Sequence, residues 1–148
     1  GCGRLCPVPS RGGVEVVVPV VVDGEPAERE VSRESRSLLL KLLSVIDASE
    51  VADEMLYYDR YSERPGREGR EFIRNKSLWA LAELEKLESA LASSGLGEME
   101  REEVRGYIER AKRVFTALAR RPGSIDVGLK LAGLRYELDR KLGLRRYS

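Results

Sequence analysis

Only one stretch of this chain is patterned as a β-strand, and a lone strand cannot make a sheet. In "GVEVVVPVVVDGEP", residues 13–26, seven valines fill the nine positions from Val14 to Val22. Such β-branched side chains suit a pleated surface. Pro19 interrupts the run and, lacking an N–H, confines it to a sheet edge or a bulge. Asp23-Gly24 is a tight-turn signal, so "EPAEREV" reads as a short polar return strand. An uncovered edge this apolar would aggregate, which predicts a hairpin packed on helices and completed by a neighbouring subunit. Everything downstream is patterned for helix. The expected fold class is therefore mainly α: a four- to five-helix bundle with a short N-terminal β-strand or hairpin. Residues 1–12 read as a flexible tail and 13–148 as a single helical domain, because 148 residues suffice for one real core.

The helices announce themselves by apolar spacing and by their stops. A first helix is expected from Ser32 or Ser35 to about Ile46, burying Leu38, Leu39, Leu42, Leu43 and Ile46. Asp47 and Glu50 have capping-box spacing and predict the start of a second helix, which carries Val51, Ala52, Met55 and Leu56. After the charged loop "SERPGREG", a third spans about Arg70 to Ala92, with Phe72, Leu78, Trp79, Ala82, Leu87 and Leu91 as inward candidates. A fourth runs from about Glu98 to Arg121, where Val104, Ile108, Ala111, Phe115 and Leu118 step by three and four. Pro122-Gly123 stops it. Ser124 caps a fifth, ending near Leu142 with Gly143 as its C-terminal signal. Gly128 and Ala132, four apart, offer a face that another helix could approach closely.

Function is written mostly in what is missing. The chain has no His, which removes the commonest general acid–base group and the usual triad partner. There is no GxxxxGK[ST] loop. The triplet Asp139-Arg140-Lys141 resembles a nuclease D-x-K, but on one surface helix it reads as a charged face. Cys2 and Cys6 form an isolated C-x3-C, too few ligands for a zinc site within one chain. No metal, cofactor or catalytic residue is expected, and an enzyme built on Asp, Glu, Lys or Tyr alone is the third and weakest reading. No apolar run is long enough to cross a bilayer, which predicts a soluble, cytoplasmic protein. Twenty arginines against one Asn, one Thr and no Gln fit a hyperthermophile, archaeal in expectation, where amides are scarce and ion pairs common.

The net charge of +1 hides an asymmetry: residues 112–148 hold ten Lys or Arg and three Asp or Glu. A cationic end can steer an acidic partner, or it can neutralise carboxylates of its own subunit. On the first reading Arg120, Arg121, Arg135, Arg145 and Arg146 hold phosphates and Tyr147 stacks. A second patch, Arg67, Arg70 and Arg74, lies in "YYDRYSERPGREGREFIRNK". There Tyr57, Tyr58, Tyr61 and Phe72 interleave with cations, as single-strand binders require.

"MEREEVRGYIERAKRVF" followed by "LKLAGLRYELDRK" resembles the small helical subunits of type III CRISPR effector complexes. The resemblance rests on Arg105-Gly106-Tyr107 in the first helix and on Tyr136 and Arg140 in the Leu-rich second. Its motif is low in specificity, and the N-terminal half departs from that pattern. The functional expectation is a small non-catalytic helical subunit that associates with nucleic acid, DNA or RNA, within a homo-oligomer or larger complex. The alternative is a structural or assembly protein that meets only other protein subunits, through the valine strand and the Gly128/Ala132 face.

Overall fold

A computed structural model describes residues 31–146. They form five helices: α1 (Arg33–Ser49), α2 (Val51–Arg60), α3 (Arg67–Ala92), α4 (Glu98–Arg120) and α5 (Ile125–Leu142). No strand occurs among the described residues. The expected tail and valine hairpin lie outside them, as does Tyr147.

Helices α1, α3, α4 and α5 make an up-down-up-down four-helix bundle. Cross-links between neighbours fix the directions: Glu34 accepts from the Gly95 N–H while Lys76 pairs with Glu50. Lys112 meets Glu88 and Arg74 meets the Ala119 carbonyl. Arg110 holds Glu137 and Lys141 holds Glu103. Each pair of partners runs oppositely in number, so every adjacent pair is antiparallel. Helix α1 touches all four others, and its Leu39, Leu42 and Ile46 are wholly buried. The apolar stripe of α4, Val104 to Leu118, is buried throughout, as the spacing predicts.

The helix ends follow local chemistry. The Ser32 hydroxyl caps α1 by accepting from the Ser35 N–H at 3.1 Å, satisfying an orphan donor of the first turn. Gly143 ends α5 in the left-handed region, φ 72°, and the Leu144 N–H closes on the Asp139 carbonyl at 2.8 Å, a Schellman-type stop. The expected capping box at Asp47 and Glu50 does not form. Helix α1 runs on to Ser49, Glu50 alone turns the chain with φ 64°, and α2 has no side-chain cap. The buried Ser49 hydroxyl holds this joint, donating to the Ile46 carbonyl at 2.7 Å and accepting from the Val51 N–H at 3.2 Å.

Three C-termini are closed by an arginine from elsewhere. Arg101 donates to the Leu91 and Leu96 carbonyls at 2.7 and 2.8 Å beyond α3, Arg74 to Ala119 at the end of α4, and Arg36 to Leu142 at the end of α5. Cations there satisfy free carbonyls and oppose the negative pole of the helix. Part of the arginine content is thus structural.

The seam of α3 differs from expectation. Ile73, Ser77, Ala80, Leu84, Leu87 and Leu91 face the core, whereas Leu78, Trp79 and Ala82 are exposed and Phe72 is half-buried. Small side chains at 77 and 80 let α3 lie close to its neighbours, and a tryptophan would not fit there. The Gly128 face is also used internally. A Cβ at Gly128 would stand 2.1 Å from Met55 Cγ, so the close approach is between α5 and α2 of the same chain and not with another subunit.

Candidate nucleic-acid interface

Of the nine site residues expected from sequence, Tyr147 lies outside the described residues and the other eight separate into three groups. Arg135 and Arg146 belong to an internal ion-pair cluster. Arg135 donates to Asp53 at 3.0 Å and lies 3.7 Å from Asp47, its side chain only 11% exposed. Arg146 donates from Nε to Asp139 at 2.5 Å and from its terminal nitrogen to Asp47 at 3.1 Å. The Asp139 hydrogen bond raises the Arg146 pKa further. In this arrangement both side chains tie α5 to α1 and α2. Asp139 and Lys141 are engaged as well, to Arg146 and Glu103, which leaves no free D-x-K triplet.

Arg145 is exposed and stands apart. It follows the stop of α5 at Gly143, whereas the arginines described next gather where that helix begins.

The remaining five converge. At one end of the bundle α3 begins, α4 stops and α5 begins, and the two patches that are 46 or more residues apart in sequence meet there. Arg74 Nε donates to the Ala119 carbonyl at 3.2 Å, one residue before Arg120. The stem of Arg70 packs over Gly123, Cδ lying 3.6 Å from where a Cβ would be, while its guanidinium donates to the Pro65 carbonyl at 3.1 Å. Pro65 is buried at the centre of this junction, within 4.0 Å of the same Gly123 position. Arg67, Arg70, Arg74, Arg120 and Arg121 are all exposed, and among the described residues none is in an ion pair. Glu68, Glu71 and Asp126 share this end without pairing to them, so the excess of positive charge is modest.

Beside it, a groove of about 460 Å³ opens between α4 and α5 over Val114, Ala117, Val127 and Leu134. Arg113 and Lys130 stand on its rim without ion-pair partners among the described residues. Arg110 and Glu137 cross its far end in a bidentate pair, 2.8 Å at each contact. That pair raises the Arg110 pKa and lowers that of the Glu137 carboxyl. Arg113 and Lys130 belong to a basic segment of the sequence, and the packing of α4 on α5 brings both to one groove.

The aromatics of the loop region split. Tyr58 turns inward against Gly69, its hydroxyl 3.4 Å from Glu54, and burial with that carboxylate raises its phenol pKa. Phe72 is half-buried beneath Lys76. Tyr57 and Tyr61 remain outside, 48% and 56% exposed. No protein-family model, curated protein or solved structure matches the chain. In the two helices that carry the CRISPR-subunit resemblance, Arg105 pairs with Glu102, burial raises the Tyr107 pKa, and Tyr136 is exposed.

Proposed function

We propose that the protein is a small non-catalytic helical subunit that associates with nucleic acid through the end of the bundle where Arg67, Arg70, Arg74, Arg120 and Arg121 meet. One observation carries this: carboxylates neutralise Arg135, Arg146, Lys112 and Lys141 elsewhere on the surface, yet these five arginines share one end with no ion pair among them. Guanidinium groups held near one another suit a run of phosphates, which they bind without regard to sequence. Arg113 and Lys130 extend the cationic surface along the adjacent groove. The composition, rich in arginine and poor in amides, supports a heat-adapted, archaeal setting, and the proposed subunit works in the cytoplasm within an oligomer or larger complex. Among the described residues no helix is long and apolar enough to cross a membrane.

The test is fluorescence anisotropy with labelled oligonucleotides at two salt concentrations. Replacing Arg67, Arg120 and Arg121 by Ala should weaken binding to all sequences alike and flatten the log–log salt slope by about 2–3. Wild-type protein that binds no oligonucleotide at low salt would refute the proposal.

A second reading, assembly through protein contacts alone, draws on Leu78 and Trp79, neighbouring apolar side chains left exposed on α3. It predicts an oligomer by light scattering that dissociates when Leu78 becomes Lys.

A further inference from the structure

We infer that Tyr57 and Tyr61 form a base-stacking platform, so that the ligand of the arginine end is single-stranded nucleic acid and not duplex; this rests on the phosphate-binding role proposed above.

The two tyrosines stand four apart at the end of α2, on the same side of the helix. Their ring centroids are 4.9 Å apart with the planes tilted by 50°. Tyr58, between them in sequence, fixes the platform: it packs against Gly69 and so ties the end of α2 to the start of α3. Pro65 in turn abuts Gly123 and accepts from Arg70. The Tyr57 ring, 5.4 Å from that of Tyr58, links the exposed pair to this junction. Tyr61 closes α2 and Arg67 opens α3, so the six-residue connection itself brings rings and guanidinium groups to the same end.

Two large rings left outside a well-packed core call for a ligand with flat apolar faces. Unpaired bases offer such faces, and each stacked base adds affinity in a sequence-tolerant way. A duplex hides its base faces in its own stack and presents only edges in its grooves. Sandwiching a base between two rings needs about 7 Å between them, twice the 3.4 Å base rise. At 4.9 Å the tyrosines are too close for that, so bases stack on their outer faces. Asp59, Glu63 and Glu68 lie on the same stretch and limit the pull on phosphate. Stacking then decides between strand types.

The experiment uses the full chain with labelled oligo-dT and oligo-U of about 15 nucleotides, within the span of known single-strand sites, and a duplex of equal length. Wild type is expected to bind single strands at least tenfold more tightly than duplex, the DNA and RNA arms showing whether the sugar matters. Tyr57→Ala and Tyr61→Ala should each weaken single-strand binding about tenfold, leaving duplex binding and the salt slope unchanged. Tyr57→Phe should retain binding, since the ring and not the hydroxyl stacks. Both positions are exposed, and circular dichroism checks that the helices persist. If wild type binds and the alanine variants bind single strands equally well, the platform is refuted while the arginine site stands. If wild type binds neither strand type, both fall. If the alanine changes alter the oligomeric state by light scattering and not nucleic-acid binding, the tyrosines belong to a protein contact and the inference is overturned.

Discussion

Met55 of α2 fills the space that any side chain at position 128 of α5 would need. Its Cγ lies 2.1 Å, its sulfur 2.6 Å and its Cβ 2.9 Å from where a Cβ on Gly128 would stand. The Cβ contact matters most, because no rotamer change of Met55 moves it. Gly128 is buried in mid-helix, where glycine ordinarily weakens a helix by about 1 kcal/mol relative to alanine.

Gly128→Ala should therefore destabilise, by about 1–3 kcal/mol through overpacking, despite its gain in helix propensity. Met55→Ala alone should cost about 2–5 kcal/mol, and the double variant less than the sum. Gly106→Ala is the control: nothing lies within 4 Å of a Cβ there, so it should stabilise by about 0.5–1 kcal/mol. Urea unfolding of the four variants measures all of this.

Ser77→Ala should raise stability. The Ser77 hydroxyl is wholly buried in the α3 seam and has no hydrogen-bond partner. An unsatisfied buried hydroxyl costs free energy that alanine does not, and alanine is the better helix former. A gain of about 1 kcal/mol, seen as a rise of about 3–5 °C in Tm by calorimetry, is expected; a loss would show that the hydroxyl is satisfied in solution.

Arg135→Ala and Arg146→Ala should lower stability without weakening nucleic-acid binding. Arg135 is nearly enclosed, and without it one buried Asp47 oxygen, already without a hydrogen bond, loses the guanidinium 3.7 Å away. A cost of about 1–2 kcal/mol lies between that of an exposed pair and that of a buried one. Arg120→Ala should do the opposite, weakening binding while leaving the unfolding midpoint in place.

The Arg110–Glu137 pair should give stability a small acid dependence. Its hydrogen bond with Arg110 holds the Glu137 carboxyl below its ordinary value, so folding favours the ionised form. That contribution is complete above the unfolded carboxylate range and fades as pH falls through the lowered folded value. Both side chains are about half exposed, 41% and 50%, so it amounts to no more than about 1 kcal/mol. The stability difference between wild type and Glu137→Gln should be constant from about pH 7 to 5 and shrink by about pH 3.

Where side-chain size and polarity agree with helical spacing, the sequence is legible. The stripes of α1 and α4 face the core as read. In α3 two stripes compete, and hydrophobicity ranks Trp79 and Leu78 above Ser77 and Ala80. Packing reverses that order, because the seam needs small residues where helices lie close. Arg101 carries a weaker signal: a cation near the positive start of α4 is unfavourable there, which points to a partner elsewhere, here the end of α3.

The helices and most of their ends follow from local pattern, because amphipathic spacing, Ser32, Ser124 and Gly143 act through residues three to five apart. Which arginines are neutralised and which are left together depends on how the helices pack. Arg135 finds Asp53 across 82 positions and Arg146 finds Asp47 across 99, while Arg74 reaches the end of α4 across 45. Attraction between charges depends on distance in space, and the antiparallel course of the bundle sets those distances.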